Sequence, residues 1–91
     1  MDIATFEKNL IDLGINIANK WQKQPCAVNY FEFFINKKHC LASISNLETF
    51  NYCVFTCNGE LLYVGYSAID CLKEIEIFNK KYKGKRKKIW K

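Results

Sequence analysis

Asn58-Gly59 sits between two apolar runs within residues 50–66. A two-residue hairpin turn needs positive φ at its central positions, and Asn-Gly adopts it readily, so this dipeptide is the strongest short hairpin signature a sequence offers. Pairing outward from the turn sets Cys57 against Glu60, Thr56 against Leu61, Phe55 against Leu62, Val54 against Tyr63 and Cys53 against Val64. One face then holds Cys53, Phe55, Leu62 and Val64, and the other Phe50, Tyr52, Val54, Leu61 and Tyr63. Both faces are apolar. Such a hairpin is either covered on both sides or turns an aromatic face to a partner.

A second hairpin is expected over residues 29–45. With Lys37-Lys38 in the turn, Asn36 pairs with His39, Ile35 with Cys40 and Phe34 with Leu41. That arrangement gathers Phe31, Phe33, Ile35, Cys40, Ala42 and Ile44 on one face. A one-residue slip would scramble the sorting, because strand side chains alternate. Two helices flank the hairpins. Residues 2–22 carry Ile3, Phe6, Leu10, Leu13, Ile17 and Trp21 at three- and four-residue steps, with Asp2 as N-cap, Gly14 as an interior cost and Pro25 marking the end. Residues 68–82 carry Ala68, Cys71, Leu72, Ile75, Phe78 and Tyr82 on one stripe, with Ser67 and Asp70 at the start and Gly84 as the C′ residue. Helix, hairpin, hairpin, helix predicts an α+β fold: a four-stranded antiparallel sheet flanked by two helices. The predicted organisation is a single α+β domain over residues 1–82 and a basic tail over 83–91. If both helices share one face of the sheet, the aromatic side of the second hairpin stays open, and a homodimer or another partner would cover it.

Ninety-one residues suffice for one core. No apolar stretch approaches the ~18 residues of a membrane span. The start, Met1 to Thr5, lacks the charged and apolar regions of a signal peptide, which leads to the expectation of a cytoplasmic protein, or a nuclear one in a eukaryote. Nine Asn and thirteen Lys against one Arg suit an AT-rich genome such as that of many phages. The five cysteines, Cys26, Cys40, Cys53, Cys57 and Cys71, include no C-x-x-C pair. Cys53 and Cys57 on one strand would lie about 13 Å apart, beyond the ~7 Å a disulfide spans. They read as reduced thiols acting as small hydrophobes. A zinc site would need His39, Cys40 and distant thiols without ligand spacing, so no metal and no cofactor are expected.

Charge divides the chain. Lys80, Lys81, Lys83, Lys85, Arg86, Lys87, Lys88 and Lys91 place eight cations in the last twelve residues, while residues 1–79 sum to minus three. A concentrated cationic segment on a mildly acidic body holds phosphates by releasing their counterions. Tyr82 and Trp90 are candidates to stack on unpaired bases. An anionic membrane surface would also attract such a segment, and a solvated, solubilising end needs no ligand at all.

No catalytic residue is assigned. His39, the single histidine, lies beside a turn with no base or nucleophile near it in the pattern. Glu74 and Glu76 point to different sides of a helix, and there is no glycine-rich phosphate loop. One resemblance is carried by Tyr52-Cys53-Val54-Phe55, Asn58-Gly59-Glu60-Leu61-Leu62 and Tyr63-Val64-Gly65 entering a helix. Together these residues resemble the first half of a GIY-YIG nuclease domain, over about 25 residues of the 91. The resemblance implies a hairpin feeding a helix, with Tyr52 in the first motif, Tyr63 and Gly65 in the second and Lys73 at the family's Arg position. The family's first Gly is missing. Lys in place of Arg loses the two-pronged phosphate contact, and no counterpart of the metal-binding Glu is found within the chain.

Two functions follow as expectations. The first is a nonenzymatic accessory protein binding DNA, RNA or another polyanion through Lys80, Lys81, Lys83, Lys85, Arg86, Lys87, Lys88, Trp90 and Lys91. The second is a small interaction or inhibitor module, of the kind phages and mobile elements carry, that docks one protein on Phe50, Tyr52, Val54, Leu61 and Tyr63, since large aromatics suit interface hot spots.

Overall fold

Gly14 decides the start of the fold. The computed structural model describes residues 1–24, 27–46 and 51–89, with side chains as far as Tyr82. Helix α1 (Ile3–Asp12) opens on Asp2, whose carboxylate accepts from the Thr5 N–H at 2.8 Å, the N-cap bond that satisfies an orphan donor. It stops ten residues later. Gly14 adopts φ +86°, its N–H donates to Ile11 O at 2.9 Å, and the Ile15 N–H donates to Leu10 O at 3.1 Å. That pair of bonds is a Schellman closure, with Ile15 and Leu10 meeting in the core.

The helix expected over residues 2–22 therefore ends at Asp12, and Ile17 to Lys23 form strand β1. Ile17 and Trp21 continue the helical spacing in sequence, but a register shift between Ile17 and Asn19 sets Ile17 opposite Phe33 on the core side and Trp21 opposite Tyr30 on the other face. The sheet then continues as β2 (Val28–Ile35), β3 (Lys38–Asn46), β4 (Asn51–Cys57) and β5 (Glu60–Gly65). It is one antiparallel meander of five strands in sequence order, not four. Helix α2 (Ala68–Ile89) follows.

The β2–β3 turn is Asn36-Lys37, at φ 52° and 67°, so Ile35 faces Lys38, Phe33 faces Cys40 and Phe31 faces Ala42. The register expected from a Lys37-Lys38 turn is two residues off. A two-residue shift leaves every side chain on its own face, and Phe31, Phe33, Ile35, Cys40, Ala42 and Ile44 are all buried. Asn36 wins the turn because Asn tolerates the left-handed conformation that a two-residue turn demands.

Both helices lie on that buried face. Phe6 of α1 meets Phe31 with ring centroids 5.8 Å apart, and Phe78 of α2 meets Phe55 edge-on at 5.8 Å. Cys71 and Ile75 complete the core with Phe33 and Cys53. Two buried amides fasten the layer. Asn79 Nδ2 donates to Leu13 O at 3.1 Å, joining the helices. Asn51 accepts from the Met1 ammonium and donates to Met1 O, both at 3.0 Å.

Helix α2 passes Gly84, the expected C′ residue, and continues to Ile89. One interior glycine costs about 1 kcal/mol. Flanking lysines and arginine are good helix formers, and cations near a helix C-terminus are favoured by its dipole. The tail boundary expected at residue 83 thus falls inside a helix. Among the described residues no helix is long and apolar enough to cross a membrane.

Candidate nucleic-acid and partner interfaces

With the helices on one side, the other side of the sheet is open. Cross-strand pairing sorts its residues into rows. Trp21, Tyr30, Ser43, Val54 and Val64 form one row and Asn19, Glu32, Leu41, Thr56 and Leu61 the next. Phe34 and His39 close one end, and Tyr52 stands near the other. Phe34 and Leu61 are each 56% exposed and Val64 is 49% exposed, so a large apolar surface is in solvent. The rings come in pairs: Trp21 stacks on Tyr30 at 5.3 Å and 11°, Phe34 lies against His39 at 5.4 Å, and Tyr52 lies against Tyr66 at 5.5 Å.

The four-strand reading left Asn19 in a helix and so missed a polar bridge across three strands. Asn19 Nδ2 donates to Glu32 Oε1 at 2.8 Å, and His39 Nε2 lies 2.6 Å from Glu32 Oε2. The Asn19 bond, followed by the His39 bond, holds the Glu32 carboxyl below the usual carboxylate range. His39 is an exposed member of this bridge.

The second hairpin turns at Asn58-Gly59, with φ 50° and 81°, and its first two pairs match the expected register. The register then shifts: Thr56 faces Leu61 but Phe55 faces Tyr63. Leu62 is the extra residue of a β-bulge, which flips every residue beyond it. Tyr63 is accordingly carried to the core side, and Val64 comes out to the open face. Of the expected interface residues, Tyr52 and Leu61 are exposed on the open face and Val54 lies partly buried between them. Tyr63 leaves the set, and Phe50 lies outside the described residues. The Tyr63 hydroxyl instead donates to Ser67 O at 3.2 Å and accepts from the Ser67 N–H at 3.3 Å. Ser67 Oγ accepts from the Asp70 N–H at 3.1 Å, capping α2. Burial of the phenol raises its pKa.

The cationic residues meet at one end of the molecule. Lys38 Nζ sits 5.2 Å from the Tyr82 ring centre and Lys81 Nζ sits 5.8 Å from it. Tyr82 packs on Phe78 with ring centroids 4.7 Å apart and is half-buried. Its ring is thus flanked by Lys38, Lys81 and Phe78. Lys80 pairs with Glu76 at 3.1 Å on an exposed surface, a contact too weak to neutralise it. Lys83, Lys85, Arg86, Lys87 and Lys88 continue along α2. Trp90 and Lys91 lie outside the described residues.

Among the described residues four thiols are free and buried, Cys40, Cys53, Cys57 and Cys71, and Cys26 lies outside the described residues. Burial, with Cys57 opposite it, pushes Cys40 up to about 12. The hydrogen bond to Cys53, together with burial, holds Cys71 protonated. The same bond shifts Cys53 downward, so burial, not a raised pKa, is what shields these thiols. No group of three or more His, Cys, Asp or Glu is placed to hold a metal ion among the described residues. Of the residues carrying the nuclease resemblance, Tyr52 is on the open face, Tyr63 is under Ser67, and Lys73 is exposed on α2 across the sheet from Tyr52. No family model, curated protein or solved structure matches this chain.

Proposed function

We propose that this is a nonenzymatic nucleic-acid-binding protein whose cationic end grips phosphates. One observation carries the reading. Lys38 on the Tyr82 ring brings the lysines of the β2–β3 turn beside the lysine-rich end of α2. The seven cations from Lys80 to Lys88 follow along the same helix, and in this reading they act with Lys37 and Lys38 as a single electropositive region. Such a region binds DNA or RNA with an affinity that falls steeply with salt.

The test replaces Lys85, Arg86, Lys87 and Lys88 by Gln and follows labelled DNA and RNA by fluorescence anisotropy across a salt series. The core residues described reach no further than Tyr82, and the variant is expected to keep its circular dichroism spectrum. Binding weakens, and the log–log salt slope falls by about 0.9 for each duplex phosphate contact removed, or about 0.7 for a single strand. Undiminished affinity in the folded variant ends the proposal.

A second reading rests on a different observation, the exposure of Tyr52, Leu61 and Val64 on the β4–β5 half of the open face. In it the protein is an interaction or inhibitor module that docks one protein there. Its complex would have a shallow salt slope and would be released by Tyr52→Ala. Tyr63→Ala, by contrast, would act through stability.

A further inference from the structure

We infer that the nucleic acid is single-stranded, and that its unpaired bases stack on the Phe34–His39 and Trp21–Tyr30 ring pairs of the open face. This rests on the phosphate-binding reading above and names the class of ligand it takes. Bases in a duplex are stacked on one another and offer only their edges in the grooves, so a flat array of exposed rings is of use only to bases splayed out of a helix. Phe34 and Tyr30 are four residues apart on β2 and share a face, which sets the two ring pairs about 13 Å apart along that strand.

Charge supports this occupant over an apolar one. Among the described residues, Asp2, Glu7, Asp12, Asp70, Glu74 and Glu76 lie on or cap the two helices, on the far side of the sheet. Glu60 stands beside the Asn58-Gly59 turn, opposite core-facing Cys57, and the open face carries Glu32, whose two oxygens are engaged by Asn19 and His39. Cations stand at both ends of the path. Lys37 lies in the turn beyond Phe34, while Lys38, opposite buried Ile35, turns to Tyr82 on the helix side, and Lys23 Nζ lies 6.0 Å from the Tyr30 ring centre. A phosphate chain crossing from the cationic end along β2 therefore meets lysines at either end and the two ring pairs between them. Between the ring pairs, the Asn19–Glu32–His39 bridge offers amide and imidazole groups to base edges.

The experiment uses the full chain and fluorescein-labelled oligothymidylate and oligouridylate of about 15 nucleotides, within the site sizes of stacking platforms, beside a duplex of equal length. Trp21→Ala and Phe34→Ala remove one ring each, and Trp21→Phe keeps a ring. Trp21 is 40% and Phe34 56% exposed, so the variants fold, as circular dichroism will verify. The expected result is tighter binding of the single strands than of the duplex. Each Ala variant loses roughly 5- to 150-fold in single-strand affinity, the equivalent of one stacked base. Trp21→Phe loses less, and the salt slope is unchanged because no cation has gone. Equal affinity for duplex and single strand, or Ala variants that bind single strands like the parent, overturns the inference. If both probes bind equally and both are lost in the α2 lysine variant, the phosphate-binding reading survives without it. If no probe binds at low salt, both readings fail.

Discussion

Replacing Tyr63 by Phe separates a structural role for this ring from an interface role. The substitution keeps the ring and removes the hydroxyl that bonds both the N–H and the C=O of Ser67 at 3.3 and 3.2 Å. Each such bond contributes about 0.5–1.5 kcal/mol net. The site is partly open, so the loss is about 1–2 kcal/mol. A chain of this length has an unfolding entropy near 0.19 kcal/mol/K from the per-residue average, which converts the loss to a Tm fall of about 5–10 °C. Gly65 provides an independent handle. A Cβ there would lie 2.6 Å from the Tyr63 hydroxyl oxygen and 2.9 Å from the carbon bearing it, closer than contact allows, so Gly65→Ala pushes the phenol off Ser67. The two changes damage the same junction. The double variant Tyr63→Phe/Gly65→Ala should therefore cost less than the sum of the singles, a non-additivity that shared contacts produce. Urea unfolding followed by circular dichroism measures all three, with Tyr52→Ala as the outer-face control, expected to cost well under 1 kcal/mol. A Tyr63→Phe midpoint equal to that of the parent, or strict additivity with Gly65→Ala, refutes the reasoning.

Three further outcomes follow from the same structure. Asn36→Ala should destabilise by about 1 kcal/mol, because Ala lacks the short polar side chain whose local hydrogen bonding lets Asn adopt the left-handed turn, and Asn36→Gly should be close to neutral; thermal melts compare them. The Asp2 carboxyl is depressed by its Thr5 hydrogen bond, so its contribution is present above the unfolded-state carboxylate pKa and lost as pH falls through the folded value. Asp2→Asn keeps an N-cap acceptor and should flatten that part of the acid limb, read from melts between about pH 5 and 2. Cys40, Cys57, Cys53 and Cys71 are buried and should resist iodoacetamide at pH 8 in the native state but label fully in denaturant; prompt native labelling at any of the four, read by peptide mass mapping, contradicts their burial.

Much of the inner face was legible because alternation survives errors of register. Phe31, Phe33, Ile35, Cys40, Ala42 and Ile44 sorted together despite a turn placed one position late, since an even shift in pairing preserves facing. Where the shift is odd the sorting breaks. The bulge at Leu62 leaves no mark in the residue pattern, so Tyr63 and Val64 were assigned to each other's faces. Strand β1 was hidden for another reason: Ile17 and Trp21 continue the spacing of Leu10 and Leu13. The available signal was Gly14, which is costly inside a helix and favourable just after one. Without β1, Asn19 had no place opposite Glu32 and Trp21 none beside Tyr30, so the ring pairs and the polar bridge went unseen. The conditional reading that an open aromatic face results if both helices share one side needed only the placement of α1 and α2, which short turns at Gly14 and Ser67 supply.

That placement also accounts for where the cations gather. Strand β5 ends near Ser67, and α2 starts there and runs back over the sheet, toward the end that holds both tight turns. At about 1.5 Å per residue, the stretch from Ala68 to Tyr82 rises about 21 Å, while β5 advances about 17 Å at 3.3 Å per residue. The helix therefore draws level with the Asn58-Gly59 and Asn36-Lys37 turns at about Tyr82, where Lys38 meets the ring. By this reckoning the described strands end there. The apolar stripe stops at Tyr82 for the same reason that the lysine-rich stretch becomes dense there: a helix with no sheet to cover gains nothing from apolar residues. An overhang of about 10 Å to Ile89 then carries its charge past the body's acids, most of which sit on the helices behind it. Length matching between α2 and β5 thus separates an apolar, sheet-covering segment from a lysine-rich one within one continuous helix.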